Sequence, residues 1–134
     1  MTLVVDASVA AKWVLPETGS ERAAALRLTG EPIIAPDLVF AEIGNAVWKR
    51  ALQGEISTAM ALEALTAATG LFSAFVPITR TRRRATEIAI GLKHPIYDCF
   101  YLALAERENA PLISADKRLI AIGKRTKGIE VRAL

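Results

Sequence analysis

The chain has 134 residues, 52% hydrophobic and 23% charged, with a formal net charge of +3. That is one domain, residues 1–134, apolar enough to pack a core, which excludes a disordered chain. No apolar run reaches the roughly 18 residues that span a bilayer, no basic segment leads an apolar one as in a secretory leader, and the single Cys allows no internal disulfide, so a cytoplasmic protein without a membrane partner is expected. The mild basic excess is compatible with nucleic acid without demanding it.

In chain order, Leu3-Val4-Val5-Asp6 is a β-branched apolar run ending in an acid, read as a central parallel strand. Ser8 follows, placed either to cap the next helix or to hold Asp6. Ala7 to Val14 is a short helix stopped by Pro16. Thr18-x-x-Glu21 reads as a capping box for a helix from Glu21 to Thr29. Pro32-Ile33-Ile34-Ala35-Pro36 is a short strand, expected near the sheet's edge because prolines bracket it. A long helix runs from Leu38 to about Leu52 with apolar residues every three or four positions, and Glu42 in its first or second turn. A helix from Ser57, a strand at Phe75-Val76 and a helix from Arg80 to Leu92 capped by Thr79 follow.

Pro95 suits the entry of a helix from Tyr97 to Glu108, with Asp98 in its first turn, where the dipole favours a carboxylate. Asn109 and Pro111 end it. Leu112-Ile113 is a buried strand leading through Ser114 to Asp116. A short helix around Leu119 to Ile122 and a strand from Ile129 to Arg132 complete the chain. Strands alternating with helices predict an α/β/α sandwich on a mostly parallel five-stranded sheet.

Asp6 and Asp116 close strands, while Glu42 and Asp98 lie near helix starts. With right-handed crossovers all four converge at the carboxyl edge, where ligands of open α/β sheets bind. Two carboxylates 4 Å apart repel by roughly 4 kcal/mol at an effective dielectric of 20, so a counterion is required. Without a Cys/His cluster, oxygen ligands suit Mg²⁺ or Mn²⁺. That equipment fits metal-assisted phosphodiester hydrolysis. Two other readings of an acid-bearing α/β sheet are a phosphatase and a phosphoryl acceptor. The first wants Asp-x-Asp, where this chain has Ser8 in the second acid's place, and the second wants an adjacent acidic pair, which is absent.

The segments Val5-Asp6-Ala7-Ser8-Val9, Leu38-x-x-x-Glu42-x-x-Asn45-Ala46, Tyr97-Asp98-Cys99-x-Tyr101-Leu102 and Leu112-Ile113-Ser114-Ala115-Asp116-Lys117-Arg118-Leu119 resemble the four acidic motifs of PIN-domain ribonucleases. More narrowly they resemble the VapC-type toxins of toxin–antitoxin pairs. The resemblance implies a Mg²⁺- or Mn²⁺-dependent endoribonuclease, a homodimer, and a small antitoxin whose tail lies over the active site. It implies Asp6, Glu42, Asp98 and Asp116 as catalytic acids, with Asp6, Asp98 and Asp116 on the metal and Ser8 and Ser114 in support. The alternative is a catalytically weak RNA- or partner-binding module on the same fold.

Simpler roles stand beside these. Asp116 also suits a helix cap. His94 reads as a helix-entry residue and Cys99 as core. Trp13 and Trp48 suit packing or a dimer surface better than base stacking. Arg80, Arg82, Arg83 and Arg84 oppose the dipole of the helix they open. They are either a solvated face or a contact for RNA phosphates or a partner's acids. Lys12, Lys49 and Lys117 are further candidates for the cleft.

Overall fold

A computed structural model describes residues 1–134. Its elements are β1 (Leu3–Val5), α1 (Ala7–Val14), α2 (Ser20–Arg27), β2 (Ile33–Pro36), α3 (Val39–Leu52), α4 (Thr58–Thr69) and β3 (Ala74–Val76). They continue with a 3₁₀ turn (Ile78–Arg80), α5 (Arg82–Leu92), α6 (Ile96–Glu108), β4 (Leu112–Ser114), α7 (Lys117–Gly123) and β5 (Val131–Ala133). The five strands form one sheet in the order β3-β2-β1-β4-β5, every neighbouring pair parallel.

The path leaves β1 toward β2 and β3, then crosses back to β4 and on to β5. Right-handed crossovers therefore put α1 to α4 on one face and α5 to α7 on the other. The strand order reverses between β1 and β4, so the crevice of the sheet opens beyond Val5 and Ser114. β1, β2 and β4 are wholly buried, whereas β3 and β5 are partly exposed edges.

β2, expected near the sheet's edge, lies one strand in, between β1 and the edge strand β3. Its prolines cost the ladder little because they stand at its ends. Pro32 contributes a carbonyl to Leu3 N–H, and beyond Pro36 the Asp37 N–H takes up the pairing with Val76. The capping box at Thr18 is corrected. Gly19 caps α2 in the left-handed region at φ 90°, with no side-chain cap, and Ser20 Oγ bonds back to Glu17 instead. Thr79 does not cap α5; it sits inside the 3₁₀ turn, and the helix starts at Arg82.

Helix α6 carries the fold's centre. From Asp98 to Ala105 every residue is buried, because the helix packs on β1, β2 and β4 and is covered by α5. It ends at Asn109, left-handed at φ 47°. At the far side α7 approaches β5 so closely that a Cβ on Gly123 would stand 2.3 Å from Val131 Cγ2. On α4 the buried residues are alanines (Ala61, Ala64, Ala68), and Met60 and Leu62 face outward.

Candidate active site

The crevice between β1 and β4 is built on Asp6. The residue is 4% exposed, and every bond to its carboxylate comes from an uncharged donor. Oδ1 accepts from Ser8 Oγ at 2.6 Å and from the Val9 N–H at 3.2 Å, which makes Asp6 the N-cap of α1. Oδ2 accepts from Ser114 Oγ at 2.6 Å. The same hydroxyls accept in turn: Ser8 Oγ from the Ala115 N–H and Ser114 Oγ from the Asp116 N–H, both at 2.9 Å. Each hydroxyl has one proton, already given to Asp6, so the 3.5 Å approach of the two serines is contact rather than a further bond. The turn after β4 is thus stitched to the turn after β1. Burial pushes the Asp6 carboxyl up to about 6 from 3.8, against these donors, and Asp116 adds to the rise.

Asp116 is half-buried and N-caps α7 through the Arg118 N–H at 2.8 Å. The cap role is therefore realised, and it uses Oδ1 alone. Asp98, 6% exposed in the first turn of α6, meets a different environment. Its Oδ2 lies 2.8 Å from His94 Nε2 and accepts from Arg118 Nε at 3.2 Å. Arg118 also stands 3.8 Å from Asp116 Oδ2, so one exposed guanidinium bridges two acids from different elements.

Glu42, half-buried in the first turn of α3, accepts from Tyr101 Oη at 2.6 Å. Its carboxyl is raised first by burial, with Asp6, Asp98 and Asp116 all pushing the same way against the Tyr101 bond. Glu42 therefore lies within electrostatic reach of the other three acids. Tyr101 is fully buried, and burial together with the Glu42 carboxylate holds its phenol far above its ordinary range, so it remains a proton donor.

The four sites also share an all-oxygen donor set, the kind that suits Mg²⁺ or Mn²⁺. As the side chains stand, however, no group of three or more Asp, Glu, His or Cys converges in a way that could hold an ion. The reason is visible in the contacts: Asp98 faces His94 and Arg118, Glu42 faces Tyr101, and each oxygen of Asp6 accepts from a serine. The donor chemistry fits a hard divalent ion; closing it around one requires at least Asp98 to release a partner.

Sequence reading did not assign Tyr101, His94 or Arg118 to the site. His94 had a usable signal, since a His four residues ahead of an Asp at a helix start can reach it. Arg118 had none, because its contact to Asp98 depends on the sheet's closure. Cys99 is core: burial pushes its thiol up to about 11, which removes thiolate chemistry near neutral pH. Trp13 packs edge-on against Phe72 and donates to Ala23 O. Lys12 turns away to Glu17 and Thr18 O.

Of the arginine run, Arg84 bonds Glu106 through both Nε and an Nη atom, and Arg83 pairs with Glu87. Glu106 lies eight residues beyond Asp98 on α6, about 12 Å along the helix at 1.5 Å per residue. Arg84 is therefore anchored toward the end of α6 opposite its acid.

The chain matches the PIN domain family over residues 3–125. Ribonuclease VapC3 of Pyrobaculum aerophilum is 32% identical over 121 residues, covering 89% of this chain and 92% of that protein. The fold is similar to that of PAE2754 from Pyrobaculum aerophilum, with TM-score 0.71 and 24% identity over 98% of this chain and 83% of that one. It is also similar to VapBC2 from Rickettsia felis, solved bound to a promoter DNA fragment, with TM-score 0.71 and 14% identity over 100% of this chain and 99% of that one. The family match runs from β1 through α7 and takes in Asp6, Glu42, Asp98 and Asp116; this chain belongs to the PIN-domain family, among the relatives of the VapC ribonucleases.

Proposed function

We propose that this protein is a divalent-metal-dependent endoribonuclease and the toxin of a toxin–antitoxin pair, acting in the cytoplasm. One observation carries the reading: a buried carboxylate, Asp6, is fixed by two serines at the strand-order reversal, and Glu42 lies in electrostatic reach of it and of Asp98 and Asp116. Asp6 and Asp116 also cap helices, but Glu42 and Asp98 cap none, and buried like charges are costly unless an ion or donors meet them.

Asp6, Asp98 and Asp116 would hold Mg²⁺ or Mn²⁺, which when bound supplies Lewis-acid polarisation of the scissile phosphate and a water of lowered pKa. The protein's own part is positional. Ser8 and Ser114 fix both oxygens of Asp6 and the backbone that presents Asp116. Tyr101 holds one oxygen of Glu42 and leaves the other free to take a proton from water. Arg118 supplies a cation beside Asp98 and Asp116 that can turn toward a phosphate.

Support for a protein partner comes from the outer faces of α3 and α4. Trp48, Leu52, Met60 and Leu62 are exposed there, and Val47, Trp48, Ala51, Ala61, Leu62 and Leu65 line an apolar groove of about 330 Å³. We assign this face to the antitoxin and to a second copy of the chain.

The deciding experiment is RNA digestion with Mn²⁺, wild type beside Asp98→Asn. Cleavage by wild type, lost in EDTA and in the variant, is expected. A second reading, an RNA-binding module without turnover, is favoured by the absence of three convergent acids. Equal RNA retention without cleavage by both proteins would establish it instead. Growth arrest on expression, relieved by a co-expressed antitoxin, tests the toxin role.

A further inference from the structure

The chain's positive charge is not spread evenly. It holds 17 Lys and Arg against 14 Asp and Glu. Residues 117–127, Lys-Arg-Leu-Ile-Ala-Ile-Gly-Lys-Arg-Thr-Lys, contain five of the cations and no acid. The remaining residues therefore carry 12 basic and 14 acidic side chains, a net −2. The basic excess of the whole protein resides in α7 and the turn behind it.

Four of those five cations are also uncommitted, Arg118 alone being paired, and they form the densest group of unpaired cations, the others being Arg22 and Arg27, Lys49, Arg80 and Arg82, and Lys93. Lys12, Arg50, Arg84 and Arg132 each pair with a carboxylate. Lys117, Lys124, Arg125 and Lys127 are exposed and form no ion pair. Arg125, Thr126 and Lys127 form one wall of a shallow groove of about 260 Å³, and Arg84, Glu87, Ile88, Gly91 and Leu92 along α5 form the other. Glu87, the groove's single acid, is already met by Arg83 and Arg84.

Both walls lead to the acidic crevice. From Leu92 the chain passes through Lys93, itself exposed, to His94 at Asp98. From the other wall α7 runs back to Arg118 and Asp116. The helix is about 10 Å long at 1.5 Å per residue, so the basic turn stands a short distance from the acids.

We infer that the α5–α7 groove, with the 117–127 cations, is the track on which an RNA strand lies as it leaves the active site. This rests on the ribonuclease reading above. The acids repel the phosphates they must approach, and a flanking band of unpaired Lys and Arg offsets that repulsion by releasing the strand's counterions. Backbone contacts of this kind hold the strand without reading its bases.

The test is binding of a labelled mixed-sequence single-stranded RNA in EDTA, read across a salt series. Arg125→Gln/Lys127→Gln is compared with wild type and with Arg22→Gln/Arg27→Gln, which removes the same charge from α2, and all three melts are checked for folding. The groove pair is expected to weaken binding about tenfold and flatten the slope of log K against log salt by about 1.4, two contacts at 0.7 each. The α2 pair should do neither. Equal losses from both pairs, or none from the groove pair, would overturn the track. So would a groove pair that loses binding to polyglutamate but not to RNA, since the groove would then serve an acidic protein. Failure of the wild type to cleave RNA, with binding still sensitive to the groove pair, would sink the nuclease reading and leave the track standing.

Discussion

Asp6 and Asp98 are buried to almost the same degree, each near the start of a helix at the same crevice, yet the protein meets their charges in opposite ways. Asp6 is surrounded by neutral donors, two serine hydroxyls and one amide. Asp98 is met by a guanidinium and a histidine ring. Dipoles fix a carboxylate's orientation while leaving its charge uncompensated, which is why burial still lifts Asp6 to about 6. A mobile cation compensates charge and is replaceable by another cation. The Asp6 corner is thus the rigid half of the crevice and the Asp98 corner the exchangeable half.

The largest effect that would sharpen this contrast is on catalysis. Asp98→Asn is expected to lower RNA cleavage by roughly a thousandfold or more, several kcal/mol of lost transition-state stabilisation, while its melting curve and the pH dependence carried by Asp6 persist. An Asp98→Asn protein that cut RNA at the wild-type rate would erase the distinction between the corners.

The next effect belongs to Asp6 alone. Its folded-state carboxyl titrates near 6 and its ordinary value is 3.8. Between those values the folded protein keeps the proton and the unfolded chain releases it, so stability falls as pH rises. In EDTA, wild type should lose about 3 kcal/mol relative to Asp6→Asn between pH 3 and pH 8. Parallel denaturation curves for the two proteins over that range would place no unmet charge at Asp6.

Mn²⁺ at about a hundred times its dissociation constant should restore roughly 2.7 kcal/mol of stability to the wild type. That gain is expected to shrink in Asp98→Asn, the exchangeable corner, as a thermal melt reports. The smallest effect concerns the rigid corner's scaffold. Ser114→Ala removes a donor from Asp6 and an acceptor from the Asp116 N–H, which should cost about 2 kcal/mol in chemical denaturation. Ser114→Thr, keeping the hydroxyl, should recover most of it.

Much of this was legible in the residues. An acid closing a Val-rich strand, and a second strand ending Ser-x-Asp, locate the crevice before any fold is known, because both signals are local. The alternation of strands and helices gives the parallel sheet. What stayed hidden depends on neighbours distant in sequence. The inner place of β2 depends on β3 pairing outside it, while prolines at its ends look locally like an edge. The left-handed Gly19 replaces the side-chain cap that the spacing of Thr18 and Glu21 offers. Arg118 sits two residues from Asp116 but acts on Asp98, across the join of β4 and α6, and no spacing rule reports such a contact.

The tight seam at Gly123 has a consequence for how this protein is silenced. Any side chain there meets Val131 and must lever α7 away from β5. Asp116 and Arg118 ride on the other end of that helix, so a methyl group added on the rear of the molecule would be felt as a misaligned acid at the front. On the toxin reading, loss-of-toxicity variants selected in growing cells should therefore include substitutions at Gly123, at the opposite end of α7 from Asp116.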